Sequence, residues 1–226
     1  LRFSLPLFPD AVEFFTPFIF FLSITAIIYI SLIALVQTDI KKLIAYSSVA
    51  HMGFVTLGIF SRNIEGLHGS MFQMISHGIV SAALFLCAGS LIERKEKKYI
   101  SFYSGLWKKM PFLGSFFFIF ILGGIAFPGT TGFIGEFLIL VGIFKVKFYL
   151  ALLAGTGIIL SAAYFLRLYG RIFFGNINSN ISSISDLNNY EIAIFSLLVF
   201  LVILLGIYPD LLIKIYELPI NKLIIN

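Results

Sequence analysis

Cysteine is nearly missing from this chain: the single Cys87 excludes an intrachain disulfide and leaves no thiolate set for an iron–sulfur cluster or a structural zinc. Charge is scarce as well, at 12% Asp, Glu, Lys and Arg against roughly 25% in soluble domains. With so few ionic side chains, almost nothing is left to build a soluble domain. No glycine-rich fingerprint follows a strand and opens a helix, which removes support for nucleotide binding. No cationic leader precedes a small-residue cleavage site, so a secretory signal is not expected. The formal charge of +5 resides in short loops between apolar stretches, which argues against a nucleic-acid partner and for a role in setting orientation.

What the chain has instead is hydrophobic length. Hydrophobic residues make up 59% of 226 positions, and about 20 such residues in a row cross roughly 30 Å of hydrocarbon. Six stretches qualify, near 14–36, 43–60, 67–92, 112–143, 148–173 and 191–213. The expected fold class is therefore an all-α polytopic membrane protein. Residues 1–13 read as the end of a preceding helix, stopped by Pro6 and Pro9, and an outer loop; the chain is expected to begin mid-fold. A helical body over 14–173 follows, then a polar inner loop over 174–190, then a terminal span and tail over 191–226.

Basic residues divide unevenly between the two ends of these spans. Lys41, Lys42, Arg94, Lys95, Lys97, Lys98, Lys108, Lys109, Arg167 and Arg171 share one end, and Arg2, Arg62, Lys145, Lys147, Lys214 and Lys222 the other. The richer end is expected to face inward. The aromatic and cationic stretch Tyr99–Met110 reads as a connector lying along headgroups, Arg167 and Arg171 as snorkelling cations, and the sequon Asn180-Ile181-Ser182 as a coincidence.

The fourth stretch is interrupted by Phe127-Pro128-Gly129-Thr130-Thr131-Gly132-Phe133 and carries one carboxylate, Glu136, just beyond. Pro128 removes an amide donor and the glycines weaken the helix, so backbone groups near 124–132 lose partners at a depth where lipid supplies none. Two half-helices are expected, because 32 continuous residues would reach ~48 Å; a tilted helix with a proline kink is the plainer alternative. Interrupted helices beside ionisable groups are how transporters hold ions near the midplane, and an intramembrane carboxylate is costly unless it works.

Three other ionisable groups lie within the spans. Ser47 stands one turn before His51 on the second, and Gln73 and Ser81 flank His77 on the third, a polar stripe suited to the bundle interior. These groups either relay protons between Glu136 and the inner surface or merely tie helices together. His68 is expected at an interface. A two-histidine, one-carboxylate metal site is not expected, since the residues come from three helices without a short-spacing signature.

These motifs, together with Leu1-Arg-Phe-Ser-Leu-Pro-Leu-Phe8, Gln37-Thr-Asp-Ile-Lys-Lys-Leu-Ile-Ala-Tyr-Ser-Ser-Val-Ala-His-Met-Gly-Phe54, Gln73-Met-Ile-Ser-His-Gly78 and Pro128-Gly-Thr-Thr-Gly-Phe-Ile-Gly-Glu-Phe137, resemble the chain 4 family of NADH-ubiquinone oxidoreductase. That family comprises antiporter-like, proton-pumping subunits of respiratory complex I. The Gly-Glu-Phe after the break distinguishes it from sister subunits, which resemble it but carry Lys there.

The resemblance implies fourteen helices with two inverted five-helix repeats, each holding one broken helix, and matches this chain to the end of helix 8 followed by helices 9–14. Glu136 would be the carboxylate of broken helix 12, with His77 of helix 11 and His51 of helix 10 on the hydrated polar axis. The family's acidic and lysine residues of the first repeat fall before Leu1. A split gene is favoured, with a separate polypeptide carrying that N-terminal half; the Leu start and 27 phenylalanines suit an AT-rich mitochondrial genome. The implied setting is the mitochondrial inner membrane, or alternatively a bacterial plasma membrane, beside neighbouring antiporter-like subunits and lipid. NADH, FMN, iron–sulfur clusters and ubiquinone would belong to the parent complex and no cofactor to this chain. The rival readings are a subunit of a cation/proton antiporter or membrane-bound hydrogenase, and a structural half-subunit that no longer pumps.

Overall fold

The computed structural model describes residues 1, 3–178, 181 and 184–225, without the side chains of 222–225. Arg2, Lys222 and the sequon positions Asn180 and Ser182 lie outside the described residues or side chains. The described residues form helices joined by turns, with one isolated antiparallel bridge between Asp39 and Tyr99. In chain order these are α1 (Ser4–Leu7), α2 (Pro9–Thr25), a π-helical turn (Ala26–Ile30), α3 (Ser31–Leu35), α4 (Ile40–Phe60), α5 (Ile64–Lys95), α6 (Pro111–Gly124), α7 (Thr131–Val146), α8 (Phe148–Phe173), α9 (Asn189–Ile207) and α10 (Asp210–Ile225). Among the described residues, five helical runs are long and apolar enough to cross a membrane: Pro9–Leu35, α4, α5, α8 and α9. The half-helices α6 and α7, of 14 and 16 residues, are each shorter than a span and follow one another across the break.

Three expectations change. Pro6 lies inside the short α1 and Pro9 opens α2, so these prolines sit in first turns, where a missing amide costs nothing, rather than ending a helix. Length alone does not decide a break, since α5 runs 32 residues uninterrupted. The tail beyond the last span is helical, because Leu212, Ile213, Tyr216 and Ile220 recur at helical spacing and pack on Leu67 and Phe72 of α5.

Local chemistry fixes the ends. The Asp39 carboxylate accepts from the amides of Lys41 and Lys42 at 2.9 and 3.2 Å and caps α4. Asn63 caps α5 through the Gly66 amide at 2.8 Å, and Asn188 with Glu191 forms a capping box on α9. Asp186 receives the first-turn amides of α6, from Phe112 at 2.9 Å and Leu113 at 3.2 Å. Arg94 at the end of α5 stitches this loop down. It donates to Glu191 at 2.9 and 2.6 Å and to the carbonyls of Ser90, Ser185 and Asp186. Arg167 is likewise engaged, donating to the Leu35 carbonyl at 2.9 Å.

The connector is more than an anchored strip. Ile100, Tyr103 and Leu106 are buried while Tyr99 and Trp107 are exposed, and the Tyr103 hydroxyl donates to the Lys97 carbonyl at 2.7 Å with that of Leu91 at 3.1 Å. Burial pushes the Tyr103 hydroxyl up to about 12.

The main apolar core gathers Ile40, Leu84, Phe117, Phe120, Phe165 and Phe173 among others, with a second cluster around Ile27, Phe54 and Ile139. Phe14, Phe18, Phe21 and Phe200 point outward, as side chains facing lipid do.

Candidate functional site

The fourth span breaks where the chain loses helical geometry, at residues 125–130. The Phe127 amide reaches back to the Leu122 carbonyl at 3.0 Å, and Ala126 takes the left-handed conformation at φ 55°. That pattern is a Schellman ending with alanine where glycine is usual. Pro128 and Gly129, the latter at φ 91°, turn the chain. The Thr130 hydroxyl and amide both donate to the Phe127 carbonyl, at 2.7 and 3.1 Å, and Thr131 restarts the helix. Gly206 of α9 lies over the break: a Cβ there would meet the Gly129 carbonyl oxygen at 2.5 Å and Thr130 Cα at 2.6 Å.

From this restart Glu136 follows within two turns and is buried, 1% exposed. Its Oε1 lies 2.7 Å from Nδ1 of His51 and accepts from Nε2 of Gln73 at 3.1 Å. Helices α4, α5 and α7 therefore meet at one carboxylate oxygen. Small residues allow the approach. Gly69 of α5 lies where a Cβ would stand 2.7 Å from the Ile139 amide, and Gly142 where one would stand 2.6 Å from the Gly66 amide. Asn63 clamps the same seam by donating to the Gly142 carbonyl at 2.6 Å.

His77 is half-buried with its ring centroid 5.3 Å from that of His51. A small cavity of about 10 Å³, room for about one water molecule, is lined by Ser47, His51, His77, Val80, Ser81, Leu84, Gly124 and Phe165. Ser47 turns its hydroxyl to the Ile44 carbonyl at 2.7 Å. Of the sequence-expected residues, Gln73, one turn before His77 on α5, donates to Glu136, and Ser81, one turn after it, lines the cavity with His77.

Several buried polar atoms here have no hydrogen-bond partner: His51 Nε2, Gln73 Oε1, Glu136 Oε2, Ser76 Oγ and Thr131 Oγ1. Each unsatisfied buried group costs about 1–3 kcal/mol, so so many in one region mark a place kept for something other than packing. Tyr164, fully buried on α8, places its hydroxyl near Ser47 and Glu136. Sequence reasoning passed over it, although Ser161 three residues earlier already marked a polar face.

His68 lies within the first two turns of α5, near one end of that span, with its side chain covered by protein. It is 7% exposed, covered by α10, with its ring centroid 5.6 Å from that of Tyr216.

The family described as NADH:quinone oxidoreductase/Mrp antiporter, transmembrane region, matches residues 1–162. The chain is 50% identical over 225 residues to NADH-ubiquinone oxidoreductase chain 4 of Marchantia polymorpha, covering 99% of this chain and 46% of the relative. It is 52% identical over 212 residues to NADH-quinone oxidoreductase subunit M of Rhodobacter capsulatus, covering 93% and 41%. It therefore spans about half the length of these relatives. Among solved structures, respiratory complex I from Thermus thermophilus superposes with a TM-score of 0.91 at 33% identity, over 99% of this chain and 48% of that one. The Mrp complex from Dietzia shares the fold, with a TM-score of 0.89 at 18% identity over 99% and 50%. A carboxylate held by three helices at a helix break thus sits in a chain that belongs to the NADH:quinone oxidoreductase/Mrp antiporter transmembrane family.

Proposed function

We propose that this chain is a proton-translocating membrane-arm component of NADH:ubiquinone oxidoreductase, providing the half of a proton path that corresponds to the second repeat of chain 4. The single observation that carries the reading is the buried His51–Glu136 contact at 2.7 Å beside a helix break. A proton moving between the two side chains leaves the net charge of the pair unchanged, so the pair holds one proton at little electrostatic cost in a medium that penalises isolated charge. A second proton makes the pair cationic and raises its energy. Charge changes along the polar axis, driven by quinone reduction elsewhere, then decide whether that proton stays or leaves.

His77 and Ser81 lie on the cavity side of His51 and pass protons to it through one bridging water. Gln73 orients the carboxylate, and Ser47 sits on the same cavity wall. Pro128, Gly129, Thr130, Thr131 and Gly132 create the break that brings Glu136 to this depth. Electron transfer belongs to NADH, FMN, iron–sulfur clusters and ubiquinone of the parent complex, and this chain takes no part in it.

The remaining half of the relatives' length is assigned to a separate polypeptide, next to neighbouring antiporter-like subunits in the mitochondrial inner membrane. Intact-mass measurement of the purified assembly tests this: a 25.3 kDa chain with a companion supports it, and a single chain of about twice that mass overturns it.

The function is tested with Glu136→Gln in the assembled complex, measuring protons transferred per electron from NADH. The ratio is expected to fall. A parental ratio in a fully assembled variant would leave a structural subunit as the better reading, and Na⁺-dependent exchange lost in the same variant would favour an antiporter, a reading the family's breadth keeps open.

A further inference from the structure

A second titratable cluster stands apart from Glu136, at the end of the bundle opposite the Lys- and Arg-rich loops. His68, the fifth residue of α5, and Tyr216 of α10 are each 7% exposed, with ring centroids 5.6 Å apart and planes tilted by 45°. Neither His68 Nδ1 nor the Tyr216 hydroxyl has a hydrogen-bond partner. Around them lie apolar Leu67, Phe72, Leu205 and Ile220. Two carboxylates bear on the imidazole electrostatically, Glu217 from α10 and Glu65 from α5, the second paired with Lys145 of α7. If this contact existed only to pack α10 on α5, two phenylalanines would fill it without two unsatisfied polar atoms.

The same face of α5 leads inward. His68, Phe72 and Ser76 repeat every four residues, and Ser76 is buried with an unpartnered hydroxyl. Gln73, which holds Glu136, follows His68 by five residues, about 7.5 Å along the axis. Fully buried Phe72 stands between His68 and Ser76 along that face.

We infer that His68, positioned by Tyr216, is a second proton-binding station that exchanges protons between the Glu136 site and the aqueous phase at the Lys- and Arg-poor end, with Phe72 as the apolar barrier between them. The imidazole takes up one proton to become imidazolium and returns to neutral on releasing it, with no electron exchanged. This rests on the function proposed above.

The test uses the assembled complex in sealed vesicles, reading protons transferred per electron while the pH at the Lys- and Arg-poor side is varied across about 5.5–8, the range in which an imidazole titrates. His68→Gln is expected to lower the ratio and abolish its dependence on that pH. Glu217→Gln, at an exposed position, is expected to displace the midpoint of the profile, and Tyr216→Phe to do so with a smaller drop in ratio. A parental ratio and profile in His68→Gln overturns the inference. Should that variant fail to assemble, an unmoved midpoint in both Glu217→Gln and Tyr216→Phe overturns it instead. Glu136→Gln run alongside separates the two readings. Loss there with a parental His68→Gln sinks the second station alone, and no loss there sinks the function on which it depends.

Discussion

Replacing Gly135 with alanine probes the seam that presents Gln73 to Glu136. A Cβ on residue 135 would stand 2.8 Å from Gln73 Cβ and 2.9 Å from its Cα, and would also press on its Oε1, where ordinary contact begins at 3.4 Å. Restoring contact takes a separation of about 0.6 Å, which a close-packed seam delivers only by moving α5 against α7. If Gln73 moves as a unit, its Nε2 goes from 3.1 Å to about 3.7 Å from Glu136 Oε1, outside hydrogen-bonding range.

Overpacking costs about 1–3 kcal/mol, and the lost bond to a carboxylate about 1.5–3 kcal/mol. Protons transferred per electron should therefore fall in Gly135→Ala, in the same direction as in Gln73→Leu, which deletes the donor without moving the helices. An assembled Gly135→Ala complex with the parental ratio, beside a Gln73→Leu complex that has lost it, would refute the claim that this glycine sets the Gln73–Glu136 contact.

Two further outcomes concern stability. Ala126→Gly relieves a left-handed alanine at φ 55° and should raise the thermal midpoint of the detergent-solubilised protein, by a net of about 0.5–1 kcal/mol once glycine's chain entropy is counted; no gain would mean the break holds no strain there. The Tyr103 hydroxyl is pushed up to about 12 from an ordinary 10. Its contribution is therefore complete below pH 10 and is lost as pH rises from 10 to 12. Melting measured across that range should show a steeper alkaline loss in the parent than in Tyr103→Phe, which at neutral pH starts about 1 kcal/mol lower for want of its hydrogen bond.

The broken helix was legible because its cause is local: Pro128 has no amide, Gly129 accepts a positive φ, and both act on their own neighbours. The pairing of His51 with Glu136 was not, since 85 residues separate them and only helix packing brings them together. What set that packing were glycines 66, 69, 135 and 142, whose meaning depends on which face meets which partner. Gln73 was readable as part of a polar stripe with His77, whereas its bond to Glu136, 63 residues away, depends on how α5 meets α7. The covering of His68 was not legible for a related reason. Its exposure depended on α10, and the apolar repeat of Leu212, Tyr216 and Ile220 was a signal that a tail reading overlooked.

The covering of the break by Gly206 has a mechanical consequence. Main chain faces main chain there, with the Gly129 carbonyl oxygen within 2.5 Å of where a Cβ would stand, so no side-chain rotation can absorb a change of shape between them. Any reorientation of the loop ahead of Thr131 must either stay within the slack of a few tenths of an ångström or displace α9 as a rigid rod. A helix outside the five-helix body thereby feels every substantial rearrangement at the interruption, and carries it toward Asn188 and Glu191 at its far end, where Arg94 is fastened.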